Sequence, residues 1–228
     1  MAIYIISDLH LSLSANKPMD VFKGWENYTE RLKANFNRVV KEEDTVILGG
    51  DTSWALKLSE SVKDFEFLNN LPGKKVLIKG NHDFWWSTAN KNDIFLKENN
   101  FNKINFIFNN CYVAEDFAIC GTRGWFYDCT DESKDGKIIN REAARLERSL
   151  LCAKEQHKNP IVVLHYPPVY ANFVCEPIFN IIKKYNIDTV YYGHIHGKGM
   201  NNSVKEYMGV KLKLTSADCI DFMPLRIH

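Results

Sequence analysis

The sequence predicts an α/β fold in which two mixed sheets pack together under a cover of helices. Three observations carry this. Short runs of apolar, often β-branched residues recur along the chain and end in polar turns, as strands buried on both faces of a layered sheet do. Stretches with helical spacing lie between them, the alternation of an α/β chain. The segment from Val204 to Leu214, with Tyr207, Val210, Leu212 and Leu214, has the pattern of hairpin strands, which argues against a purely parallel sheet.

The first strand is Ile3 to Ile6. A helix follows over about Trp25 to Val40, where Tyr28, Leu32, Phe36, Val39 and Val40 form a core stripe. Thr45 to Leu48 is the next strand, Ser53 to Asn70 the next helix, and Lys75 to Ile78 and Phe117 to Cys120 are further strands. The polar stretch Asp128 to Lys137 reads as an exposed loop. Beyond it come a helix over Asn140 to Lys154, a strand at Ile161 to Leu164, a helix over Glu176 to Tyr185 and a strand at Thr189 to Tyr192. No repeat, low-complexity tract or Gly/Ser-rich linker marks a boundary, so one domain spanning residues 1–228 is expected.

Composition narrows the partners. The 228 residues are 45% hydrophobic and 25% charged, enough apolar material for a substantial core. Lys plus Arg (29) and Asp plus Glu (28) leave a net charge of +1. That balance gives no electrostatic reason to expect nucleic acid or an anionic membrane as partner. No apolar run approaches the roughly 18 to 20 residues that span a bilayer. The first residues lack the basic and long apolar regions of a secretory signal. The six cysteines show no CxxC pairing and read as reduced thiols, so a cytoplasmic location is expected.

The chemistry concentrates in five segments of one construction, an apolar run followed by metal-binding residue types. They are Asp8-Leu9-His10, Gly49-Gly50-Asp51, Gly80-Asn81-His82-Asp83, Leu164-His165-Tyr166-Pro167-Pro168 and Gly193-His194-Ile195-His196. Five of the seven histidines fall in them. Loops after strand C-termini converge on one crevice in open α/β sheets. Residues two apart on an extended segment point the same way, so Asp8 with His10, and His194 with His196, are expected to aim at one point while Leu9 and Ile195 face the core. Taken singly, each segment has a bland explanation: a capped loop, a turn, a hydrogen-bonded histidine. Five together, each after a strand, make a metal site the better one. Imidazoles, carboxylates and one amide suit Mn, Fe or Zn, and seven candidate ligands are too many for one tetrahedral ion, so two metal ions are expected.

This series resembles the calcineurin-like metallophosphoesterase superfamily from Asp8 to His196, with all five motifs in order. The resemblance implies a four-layer sandwich of two mixed β-sheets flanked by helices. It assigns Asp8, His10 and His196 to one metal, Asn81, His165 and His194 to the other, and Asp51 to a bridge between them. It makes His82 the acid that protonates the leaving oxygen. The chain departs from the phosphoprotein phosphatases, which read GDxxDRG and GNHE. Here Trp54 stands where their second Asp would be, so another group must orient His82. Purple acid phosphatases have a metal-bound Tyr at that position, and lipid-A precursor hydrolases carry Arg in place of His82. The contrasts point to a small bacterial-type phosphohydrolase with GNHD.

Supporting residues follow. Arg123, in Gly121-Thr122-Arg123-Gly124-Trp125, is a candidate for binding substrate phosphate, with a surface ion pair as its ordinary alternative. Lys79 stands where the phosphoprotein phosphatases have a phosphate-binding Arg. Phe84, Trp85, Trp86 and Trp125 are expected to divide between a pocket wall and the core. The expected activity is hydrolysis of small phosphate esters by a metal-bridging hydroxide with His82 as general acid. Two alternatives remain beside it: a phosphodiesterase acting on cyclic nucleotides or nucleotide-like diesters, and a catalytically silent scaffold of the same fold.

Overall fold

A computed structural model describes residues 1–15, 17–125 and 132–228, with side chains from residue 135 in the last segment. In chain order its strands are β1 (Ile3–Ile6), β2 (Thr45–Leu48), β3 (Lys74–Leu77), β4 (Ile104–Phe106), β5 (Tyr112–Ala114), β6 (Phe117–Thr122), β7 (Asn159–Leu164), β8 (Val169–Tyr170), β9 (Phe173–Val174), β10 (Thr189–Tyr192), β11 (Glu206–Tyr207), β12 (Val210–Leu214) and β13 (Leu225–Arg226). Its α-helices are α1 (Tyr28–Val39), α2 (Val62–Asn70), α3 (Ala89–Glu98), α4 (Glu132–Glu155) and α5 (Glu176–Lys184). One sheet has the order β13-β1-β2-β3-β4, parallel except for β13. The other runs β11-β12-β10-β7-β6-β5, parallel in its centre with antiparallel edges β11 and β5. Both sheets are therefore mixed.

The period of two along each strand builds the layers. Ile3 and Ile5 of β1, Ile47 of β2 and Val76 of β3 pack against Ile119, Val163 and Tyr191 of the second sheet, which forms the inter-sheet core. The alternate residues Tyr4, Ile6, Val46 and Leu48 face outward onto Leu32 and Phe36 of α1, Phe65 and Leu68 of α2, and Phe95 of α3. On the far side, Cys120, Val162, Leu164 and Val190 meet Leu146 and Leu150 of α4 and Ile178, Phe179 and Ile182 of α5. Two helical layers thus enclose two sheets. The sheets are stitched together at one end, where the Ser7 N–H donates to the Thr215 carbonyl (2.8 Å) and the two hydroxyls lie 2.8 Å apart. That junction brings the C-terminal ends of the parallel strands side by side.

Two expectations are corrected. The helix expected from Ser53 starts only at Val62, after a short 3-10 turn at Leu58–Glu60. Residues 52–54 are held instead by the site: the Trp54 N–H donates to the Leu11 carbonyl and the Thr52 N–H to Asp83. The polar stretch Asp128 to Lys137 is not a loop throughout, because α4 starts at Glu132; residues 128–131 lie outside the described residues. Ile139, Ala143, Leu146 and Leu150 recur at helical spacing against the second sheet, and the helix runs upstream from that stripe through polar turns. Helix α3, which has few apolar residues, is not visible in the pattern; Thr88 caps it by accepting from the Lys91 N–H. The described cysteines, Cys111, Cys120, Cys152, Cys175 and Cys219, are free thiols, and Cys129 lies outside the described residues. No helix among the described residues is long and apolar enough to cross a membrane.

Candidate metal centre

Each of the five segments follows a strand: Asp8 after β1, Asp51 after β2, Asn81 after β3, His165 after β7, and His194 with His196 after β10. Their loops are locked to one another by backbone bonds from Asp8 N–H to the Gly50 carbonyl and from His10 N–H to the Asp51 carbonyl, both 2.9 Å. The aiming is not done by extended backbone, as the spacing suggests. Asp8, His10, Asp51 and His194 all have positive φ, 59°, 47°, 51° and 70°. Left-handed backbone at four non-glycine residues is costly, and the surrounding packing imposes it. Leu9 and Ile195 do enter the core. Gly80 and Gly193 permit the close approach of the loops: a Cβ on Gly80 would lie 2.1 Å from the Asp51 backbone nitrogen, and one on Gly193 2.4 Å from Asp8 Oδ2.

The side chains form two groups, Asp8 with His10 and His196, and Asp51 with His165 and His194, whose ligand-type atoms lie within 4.8 Å of one another in each group. Asn81 joins the second: its Oδ1 is 2.7 Å from His165 Nε2 and 2.9 Å from His194 Nδ1. Asp51 Oδ2 faces both groups, 3.5 Å from His165 Nε2 and 3.9 Å from His10 Nε2. Asp8 Oδ1, His10 Nδ1 and His196 Nε2 are buried without a hydrogen-bond partner. Buried polar atoms are rarely left so unless something else satisfies them. The donor sets of both groups, and the orphaned atoms of the first, therefore fit two cations, one per group, with Asp51 between them.

Electrostatics supports the fit. Burial works against ionising Asp8 and Asp51, yet the neighbouring imidazoles hold both carboxyls below their ordinary range. His165 is raised to about 9 and His196 to about 10: burial opposes their charge, and the facing carboxylates overcome it. Burial pushes His10 and His194 down to about 4, the neutral form a metal needs. The buried carboxylates thus favour protons on these two imidazoles, and bound cations would displace those protons.

His82 stands at the mouth of the centre. Its backbone N–H donates to Asp51 Oδ1 at 2.7 Å, and its ring Nε2 is 4.0 Å from Asp51 Oδ2. Burial lowers the pKa of its imidazole. No side chain among the described residues hydrogen-bonds its ring. Trp54 takes the orienting place instead, its ring 4.4 Å from that of His82 and stacked at 4.8 Å on His10. The Lys17 ammonium in turn lies over the Trp54 ring, 3.1 Å from its centroid.

Three residues to which the sequence assigns no role support the centre, Asp83 although it stands inside a motif. Asp83 is fully buried and accepts from the N–H groups of Gly80, Asp51, Thr52 and Ser53 and from Trp85 Nε1. Burial and the Asp51 charge push its carboxyl up to about 6, against the backbone N–H donors that favour its ionised form. Asp218 Oδ1 lies 2.8 Å from His196 Nδ1 and fixes which nitrogen that imidazole turns inward. Ser216 Oγ donates to Asp8 Oδ2 at 2.9 Å. The His-to-carboxylate pairing is a general requirement of metal-binding imidazoles, but nothing in the local sequence marks Asp218 as the partner. Arg123 sits beside the second group, its carbonyl accepting from the Tyr166 N–H. Of the aromatic candidates, Trp85 is core, Phe84 is exposed, and Trp86 lines a cavity with Arg123 and Lys79. Trp125 packs against the second-sheet core.

The model of the family "Calcineurin-like phosphoesterase" matches residues 1–198. The chain is 36% identical over 86 residues to the uncharacterized protein MJ1445 of Methanocaldococcus jannaschii, a match that spans 36% of this chain and 46% of that protein, so about half its length. Among solved structures it is similar to the protein AQ665 of Aquifex aeolicus, with a TM-score of 0.54 and 21% identity over 99% of this chain and 95% of that one. It is also similar to TT1561 of Thermus thermophilus, with a TM-score of 0.53 and 14% identity over 86% and 82%. The phosphopantetheinyl hydrolase PptH of Mycobacterium tuberculosis gives 0.50 and 16% over 94% and 88%. At these identities the likeness is one of fold.

Proposed function

The chain belongs to the calcineurin-like phosphoesterase family, and from that premise we propose that it hydrolyses small phosphate esters at a two-metal centre. The observation that carries the reading is the pair of ligand groups sharing Asp51, with three buried polar atoms of the first group lacking hydrogen-bond partners. Asp8, His10 and His196 would hold one ion and Asn81, His165 and His194 the other, with Asp51 bridging. When bound, such a metal pair supplies Lewis acidity toward the phosphoryl oxygens and a water of lowered pKa.

The chain's own residues do the rest. Asp218 and the Gly49 carbonyl, 3.1 Å from His165 Nδ1, fix the orientation of His196 and His165. Asp83 clamps the loops of Asp51 and Asn81 together. His82 is half-buried, tilted on Trp54 and free of side-chain hydrogen bonds among the described residues, so its ring nitrogen is free to deliver a proton to a departing alkoxide. The mouth beside the half-buried His82 admits a small ester.

The test is a panel of p-nitrophenyl phosphate and bis-p-nitrophenyl phosphate, assayed with Mn²⁺, Fe²⁺ or Zn²⁺. Metal-dependent hydrolysis that a chelator abolishes and that Asp51→Asn lacks is expected, with the monoester cleaved faster. A faster diester would make the protein a phosphodiesterase. Absence of hydrolysis with any metal, alongside full metal loading, would make it a scaffold and refute the reading.

A further inference from the structure

Beside the second ligand group lies a cavity of about 300 Å³ whose charged walls are mostly cationic. Lys79 enters it two residues before Asn81, so their Cα atoms are at most about 7.6 Å apart. Thr122 and Arg123 enter it from the end of β6, where their carbonyls accept from the N–H groups of His165 and Tyr166. The cavity thus shares two of its walls with the loops that carry Asn81 and His165. Arg145 contributes a third cation from α4, and Trp86 and Phe108, ring centroids 5.2 Å apart, close the apolar side.

The charges in this cavity do not balance. Glu142 is its only lining carboxylate among the described residues, and it is fully buried and already engaged. It accepts from the Thr122 hydroxyl and, at 2.7 Å, from Arg145 Nη1. The Arg123 Nη2 approaches it only to 3.8 Å, and Arg123 Nε is buried with no hydrogen-bond partner. Lys79 has no hydrogen bond or ion pair among the described residues, and burial lowers the pKa of its ammonium. Three cations against one carboxylate leave an excess of about two positive charges, partly withdrawn from water. Such a site favours a dianion that can accept from a guanidinium and an ammonium together, which is the chemistry of a phosphate group.

We propose that this cavity holds a second phosphate of the substrate, so that the protein acts on small molecules bearing two phosphate groups and cleaves the one at the metal centre. The proposal rests on the phosphoesterase reading and adds to it a specificity site built from Lys79, Arg123 and Arg145. Lys79 lies two residues from Asn81 on one loop, so the two phosphates are expected on one compact scaffold, such as a sugar or a short diol.

Two measurements on the full chain separate this proposal from the reading beneath it. In the first, chelator-treated protein is titrated calorimetrically with inorganic phosphate. Binding is expected without metal, unchanged by Asp51→Asn and weakened about tenfold or more by Lys79→Met and by Arg123→Gln. Lys79 has no partner to orphan, so its replacement leaves the fold intact. In the second, propyl, butyl and pentyl phosphates are compared with the corresponding α,ω-diol bisphosphates. The bisphosphates are expected to have kcat/KM at least about tenfold higher, chiefly through KM, with the preference lost in Lys79→Met. Phosphate binding that is absent, or that ignores both cation variants, overturns the proposal. So does equal treatment of the two ester series. Failure to cleave any ester while phosphate still binds in the cavity refutes the phosphoesterase reading instead.

Discussion

Replacing Asp83 by Asn exchanges one carboxylate oxygen for an amide of nearly the same shape, yet it should unsettle the whole centre. Asp83 Oδ2 accepts from the Asp51 N–H (2.9 Å) and the Gly80 N–H (2.8 Å). Oδ1 accepts from the Thr52 N–H (2.8 Å), the Ser53 N–H (3.3 Å) and Trp85 Nε1 (3.0 Å). Whichever side the new NH₂ takes, at least two donors lose their acceptor and face another donor. An unsatisfied buried group costs about 1–3 kcal/mol, so the variant should lose on the order of 2–6 kcal/mol of stability. That is a large share of the roughly 5–15 kcal/mol available to an ordinary domain. Denaturant unfolding of the chelator-treated protein, followed by tryptophan fluorescence, reads this loss directly. Either way the released donors include a peptide N–H of residues 51–53, the loop that carries Asp51, so metal affinity should also fall, about 10- to 100-fold. An unfolding midpoint and a metal affinity both equal to those of the parent protein would refute the clamp.

Other expectations follow from the same geometry. His82→Ala should slow hydrolysis of alkyl phosphates about 10²- to 10⁴-fold and of p-nitrophenyl phosphate much less, with metal content retained, because nitrophenolate departs without a proton; equal slowing of both would exclude a general acid. Asp218→Asn should weaken metal binding at the Asp8, His10 and His196 group about 10- to 100-fold, measured by metal titration, because His196 loses the carboxylate that orients it; an unchanged affinity would refute that role. Lys75 is fully buried, its ammonium 2.6 Å and 2.7 Å from the Leu71 and Gly73 carbonyls, and burial pushes its pKa down to about 7 from 10.5. Between pH 7 and 9 the unfolded chain therefore binds more protons at this residue than the folded one, and stability should rise with pH there by on the order of 2 kcal/mol relative to Lys75→Met. Parallel pH profiles of the two proteins in chelator would contradict this.

The strands that carry the site were legible because each is buried on both faces, so Ile3 to Ile6, Thr45 to Leu48 and Thr189 to Tyr192 are continuous apolar runs with the bounds the sequence predicts. The motif residues after them converge as expected, but the reason differs. Left-handed backbone at Asp8, His10, Asp51 and His194 turns their side chains inward, and a conformation forced on non-glycine residues by tertiary packing leaves no mark in their spacing. Helix α3 has too few apolar residues for a stripe; a cap and the burial of Asn92 and Phe95 hold it. The start of α4 is polar and reads as a loop because its apolar stripe begins only at Ile139. Asp83 and Asp218 were missed as supports because a carboxylate that accepts from backbone or imidazole is, in sequence, indistinguishable from one in a turn. Trp54 was legible only as a departure; its stacking on His10 and its tilted contact with His82 needed coordinates.

The central claim is that one carboxylate, Asp51, joins two metal sites. Anomalous diffraction from crystals grown with Mn²⁺ tests it most directly. Two peaks are expected, roughly 3.5–4 Å apart as in other two-metal centres. One should lie against Asp8, His10 and His196, the other against Asn81, His165 and His194, with Asp51 touching both. One peak, or two that do not share Asp51, would contradict the account.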